Sequence, residues 1–181
     1  MMFKWILLSI TLAASSIASA QCGQGYVAEI QNIKGYGTLI VEGSVMDRLA
    51  AIENVTRDAT ISTCFEVQLK AISVLSQAFT LLRAEVATTA IEGVRKIAAK
   101  STNVRVKVGA LEAIHPVVNA IMVSIRTKAI QSVESIAEES SSPEVVSKAL
   151  EVLVRAQNCI FTDARELADK AVKKIEATKK Y

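Results

Sequence analysis

Residues 90–114 read AIEGVRKIAAKSTNVRVKVGALEAI, and this stretch decides the fold because its apolar skeleton recurs on both sides of it at a constant step. Ala90, Ile91 and Val94 repeat Ala51, Ile52 and Val55, and return as Ala129, Ile130 and Val133, each 39 residues on. The second half keeps the same step. Val67, Ala71, Ile72 and Leu75 become Val106, Ala110, Leu111 and Ile114, then Val145, Ala149, Leu150 and Leu153. Within each unit the apolar residues recur at spacings of three and four, the period of a helix with one buried face. A fixed period of this length is the mark of stacked repeats, in which each unit buries its apolar face against its neighbours. The predicted fold is therefore all-α: a solenoid of three two-helix units of 39 residues, followed by a capping helix.

Working outward, the spacing predicts first helices over about 45–60, 85–100 and 124–139, and second helices over about 64–80, 104–120 and 143–159. Ser62, Ser101 and Ser140 mark where the first helices end. Ser101-Thr102-Asn103 and Ser140-Ser141-Ser142 supply N-caps for the second helices, and Pro143 with Glu144 suits a first helical turn. A last helix over about 163–178 repeats the first skeleton as Ala171, Val172 and Ile175, and ends in a lysine-rich tail, as a polar cap should. Seven principal helices are expected.

The domain plan has three parts. Residues 1–20 carry Lys4, an apolar run from Trp5 to Ala14 and a small-residue end at Ala18-Ser19-Ala20, the layout of a secretory signal cut before Gln21. Gln21 before Cys22 departs from a lipid-attachment motif. Residues 21–43 hold five of the seven glycines, which predicts a loop-rich leader, with a short element around Val27 to Ile33, that caps the open end of the stack. Residues 44–181 form the repeat domain. A secreted or periplasmic location follows, with no stable membrane span once the signal is removed.

Without its first 20 residues the 181-residue chain has 161, enough for one real core. Loss of Lys4 leaves 20 basic against 18 acidic residues, a balance that does not call for nucleic acid. The single Trp leaves with the signal, so aromatic platforms for sugars or bases are scarce. Export permits disulfides, and of three cysteines Cys22 and Cys64 are the preferred pair, pinning the leader to the first unit and leaving Cys159 over.

The run Asn103-Val104-Arg105, followed by Ala110-Leu111-Glu112-Ala113-Ile114, in two-helix units of about forty residues, resembles HEAT repeats over roughly residues 46–181. Only the Val104-Arg105 pair matches the HEAT pattern closely, and the first helices lack its frequent proline. The resemblance implies a right-handed stack used as a protein-binding scaffold.

Catalysis has little to stand on. His115 is the only histidine, so neither a triad nor a His-rich zinc site can be assembled, and no CxxC, HExxH or glycine-rich phosphate loop occurs. No enzyme activity, metal or cofactor is expected. The second helices offer a polar face instead. Glu66, Lys70, Ser73 and Gln77 share one side of the first; Arg105, Gly109, Glu112 and Pro116 follow in the next, and Glu144, Lys148, Glu151 and Arg155 in the third. Lys70, Arg105, Gly109, Glu112, Lys148, Glu151 and Arg155 are the candidate protein-binding residues, with Gly109 as a dent in the ridge. The 39-residue step also sets Arg95 against Glu134, Lys100 against Glu139, and Arg105 against Glu144 and Glu66, which predicts charge pairs between neighbouring units. The rival reading is a helical lipid or fatty-acid carrier whose small β-branched core leaves a tunnel lined by Ile121, Met122, Ile125 and Phe161.

Overall fold

In a computed structural model, which describes Cys22, residues 25–81 and residues 83–179, the chain is all-helical. The proposed signal, residues 1–20, lies outside the described residues. Eight α-helices follow one another: α1 (Tyr26–Glu42), α2 (Val45–Ile61), α3 (Phe65–Ser76), α4 (Ala84–Lys100), α5 (Val104–Ile114), α6 (Val123–Glu138), α7 (Pro143–Gln157) and α8 (Thr162–Thr178). Short 3-10 turns, Gln77–Thr80 and His115–Val117, extend α3 and α5. Helices α2, α4, α6 and α8 pack side by side in one row, and α1, α3, α5 and α7 in the other. Every helix also packs on its neighbours in sequence, so each substantial contact joins helices one or two places apart.

The repeated apolar skeleton fills the space between the rows. Ala51, Ile52, Val55, Ala90, Ile91, Val94, Ala129, Ile130 and Val133 are all buried, as are Val67, Ala71, Leu75, Val106, Ala110, Leu111, Ile114, Val145, Ala149 and Leu153. Each large aliphatic taken out of water contributes about 1.5–3 kcal/mol, so this core dominates the folding energy.

The turns between α2 and α3, α4 and α5, and α6 and α7 share one side-chain hydrogen bond. The hydroxyl oxygens of Ser62, Ser101 and Ser140 accept from the backbone N–H two residues on, in Cys64, Asn103 and Ser142, at 3.3, 3.2 and 3.2 Å. Ser62 and Ser101 have nearly the same backbone, with ψ of 133° and 134°, an extended conformation that ends the helix and turns the chain back. Gln68 joins two of these corners: its Nε2 donates to the Ser62 carbonyl at 2.9 Å, and its Oε1 accepts from the Ser101 hydroxyl at 2.8 Å. The third corner is held by Lys179, whose Nζ donates to the carbonyls of Glu138 and Ser140 at 3.0 and 2.7 Å. Asn103 caps α5 by accepting from the Arg105 N–H at 2.9 Å. Ser44 and Asp47 form a reciprocal capping box at the start of α2.

Residues 26–42 correct the loop-rich leader predicted for 21–43, and raise the helix count among the described residues to eight. Two internal glycines disfavour this helix by about 1 kcal/mol each. Burial of Ile33 and Ile40 against α2 and α3 outweighs that, a tertiary effect that local composition does not report. Glu29 further ties α1 to the Ser62 corner, accepting from its hydroxyl at 2.7 Å. Ahead of α1, a disulfide joins Cys22 to Cys64 at the start of α3, across 42 residues of sequence. Cys159 is free and half-buried.

Gly93 lets α4 pack tightly against α2 and α3. A Cβ there would collide with Thr56 Oγ1 of α2 and come within 3.1 Å of Leu75 Cδ1 of α3. Gly93→Ala is expected to destabilise the protein by about 1–3 kcal/mol through overpacking, measured by urea unfolding at constant slope. Cys22→Ser is expected to lower stability by about 2–4 kcal/mol, and reduction of the native protein with dithiothreitol should bring it to the same midpoint as the variant.

Candidate protein-binding faces

The seven candidate residues lie on α3, α5 and α7, one row of the molecule. Arg105, Glu112, Glu151 and Arg155 are exposed, while Lys70, Gly109 and Lys148 are half-buried. Lys148 is the centre of the arrangement. Its Nζ lies 3.0 Å from Glu151 Oε1 on its own helix and 4.0 Å from Glu112 Oε1 on α5, so charge runs from one helix to the next. Beyond it, Arg155 Nη1 sits 3.3 Å from His115 Nε2. A guanidinium only donates, so Nε2 accepts and the ring proton belongs on Nδ1. Burial, and then the charges of Arg155 and Lys148, hold the His115 pKa below its ordinary value, which keeps the ring neutral at physiological pH. Lys70 and Arg105 form no ion pair among the described residues.

Two sequence expectations are corrected here. Gly109 is not an open dent, because a Cβ at this position would lie 2.8 Å from Leu69 Cδ2, which leans over the α5 backbone from α3. The pairs predicted from the 39-residue step also do not form among the described residues. Arg95 pairs instead with Glu92 at 2.6 Å and Glu139 at 3.6 Å, Lys128 with Glu92 at 2.7 Å, and Lys174 with Glu134 and Glu138 at 2.7 and 2.8 Å. Equivalent positions have the same angular place on successive helices, so their side chains point the same way from axes about 8–10 Å apart. Facing partners come from opposite flanks.

The opposite row carries a groove of about 990 Å³ between α2 and α4, floored by Ile52, Gly93 and Ala99. Glu92 stands in it between Arg95 and Lys128. Burial alone would raise its pKa, but hydrogen bonds from these two cations prevail and hold the carboxyl at about 2.

The four residues proposed to line a lipid tunnel occupy unlike surroundings. Ile121 is 85% exposed on a loop, Met122 is half-buried, Ile125 is in the core, and Phe161 lies beneath the Arg126 guanidinium, 4.2 Å from its ring centre. Arg126 itself went unread in the sequence. It is only 5% exposed, pairs through two nitrogens with Asp163 at 2.8 Å each, and donates to the carbonyls of Ala120 and Ile121. That fastens the start of α6 to the start of α8. The available signal was Arg48, two periods upstream, whose guanidinium likewise donates to a carbonyl just ahead of its own helix, that of Val41 at the end of α1.

Cys22, Cys64 and Glu66 lie close together, but the two sulfurs are joined to each other and so hold no lone thiolate for a metal. No helix among the described residues is long and apolar enough to cross a membrane.

The depressed pKa of Glu92 has a signed consequence. Its stabilising contribution is full above its ordinary value of 4.5 and is lost as pH falls through about 2. Glu92→Gln should therefore be less stable than the native protein at about pH 7, with the gap closing between about pH 4.5 and pH 2; parallel chemical-denaturation series across that range measure it.

Neither a protein-family model nor a curated protein matches this chain.

Proposed function

We propose that this chain is an exported, non-enzymatic scaffold. Its framework is a short right-handed α-solenoid of three HEAT-like units closed by α8, and it binds another protein of the envelope or extracellular space through the outer face of α3, α5 and α7. The observation that carries this reading is the charged strip crossing those helices. Lys148 links Glu112 to Glu151, Arg155 reaches His115, and Lys70 and Arg105 continue the strip with charges that find no partner among the described residues. A strip of this kind steers a partner of complementary charge and sets its register. Support for the solenoid comes from the packing of each helix on the one two places along and from the matched serine corners.

The partner is to be captured by in vivo crosslinking of the tagged protein in its native source and identified by mass spectrometry. Arg105→Glu combined with Lys148→Glu is expected to weaken that complex by about tenfold or more, with helicity and melting temperature retained. Unchanged affinity in a folded double variant would remove the strip from the binding surface.

A further inference from the structure

The groove between α2 and α4 lies on the row opposite the charged strip and asks for a different ligand. Its walls carry five cations, Arg57, Arg95, Lys96, Lys100 and Lys128, against two acids, Glu53 and Glu92. Three of the cations are already engaged: Arg57 with Asp58, and Arg95 and Lys128 with Glu92. Lys96 and Lys100, both exposed and one turn apart on α4, form no ion pair among the described residues. The unspent positive charge is thus concentrated at one end of the groove.

The rest of the wall is made of hydroxyls with a fixed polarity. Thr56, Thr60, Thr88 and Thr89 each donate to a carbonyl of their own helix, at Ile52, Arg57, Ala84 and Glu85, over 2.8–2.9 Å. With the proton committed, each hydroxyl oxygen has only lone pairs left to offer a ligand in the groove. It can accept and not donate. A ligand that satisfies this wall must bring N–H groups along its length and negative charge at the lysine end, with apolar groups for the floor of Ile52, Gly93 and Ala99.

We infer that the α2–α4 groove binds an extended peptide segment with acidic side chains, its N–H groups donating to the threonine oxygens and its carboxylates resting on Lys96 and Lys100. From Thr88 to Lys100 the helix advances about 18 Å, which matches about five residues of extended chain. The groove then continues past Lys100 into a hollow at the Ser62 and Ser101 corners, where Ile61 stands exposed for an apolar side chain. A phosphate-rich ligand fits less well. It brings no N–H donors and would face the lone pairs of the threonines and the carboxylates of Glu53 and Glu92.

The test uses the full-length mature protein and a fluorescein-labelled, end-blocked peptide of alternating glutamate and valine, about eight residues long, read by fluorescence anisotropy. Saturable binding is expected, weakening with added salt and reduced about tenfold or more by Lys96→Glu with Lys100→Glu. The folded Arg105→Glu, Lys148→Glu variant should bind the peptide like the native protein, which separates this site from the strip on the other row. Equal binding of an alternating lysine and valine peptide, or indifference to the lysine reversals, would overturn the inference. So would failure of the acidic peptide to bind where phosphatidylglycerol vesicles do, an outcome that assigns the groove to a lipid surface.

Discussion

The serine corner is the constraint on which the rest of this molecule depends. A helix that stops leaves backbone groups without partners, and a chain that must reverse within three or four residues has little room to satisfy them. At Ser62, Ser101 and Ser140 the side chain meets one of those needs by accepting an N–H from two residues on, and at Ser62 and Ser101 an extended backbone redirects the chain. The same side-chain contact recurs at all three corners, and the helices they join lie in two rows. The corners at Ser101 and Ser140 are themselves buried. Gln68 and Lys179 are the polar partners that keep those interior positions from carrying unmet hydrogen-bonding groups.

Charge in this protein works along the rows more than across the whole. On one row, Glu92 is shared by Arg95 and Lys128, and Lys174 by Glu134 and Glu138, so α4, α6 and α8 are linked in sequence. Pairs that keep this much contact with solvent contribute modestly apiece. Arg126 differs because its guanidinium is buried, paired through both ends of its fork to Asp163 and seated on Phe161. A guanidinium that donates four hydrogen bonds at that position specifies how α6 and α8 meet, which an aliphatic side chain in the same place would leave open.

Much of the fold was legible because it rests on local rules. The ends of α2, α4, α6 and α8 fall within a residue or two of the positions read from periodicity and polar triplets, since caps and apolar spacing act within a few residues. Helix α1 was not legible. Its glycines speak for a loop, and only the burial of Ile33 and Ile40 against distant segments overrides them. The facing charges were misread for a geometric reason, as a linear period carries no information about which flank of a helix a side chain occupies. The α2–α4 groove was invisible for a related one. It exists because Gly93 and four threonines stand on facing sides of two helices, a juxtaposition formed only in three dimensions. Arg126 lay within reach, as the partner of Arg48 at twice the period.

The restriction of substantial contacts to helices one or two places along has a consequence for how the molecule comes apart. Cohesion passes stepwise from pair to pair, and the two ends of the array are not held alike. At one end a covalent link fastens the segment before α1 to α3, while at the other no such link holds α8 among the described residues. Opening should therefore begin at α8 and travel inward, with amide protons of α8 exchanging before those of α3 and α4. A partner seated on α5 and α7 would lie in the path of that wave, and its occupancy would set how far the unravelling runs.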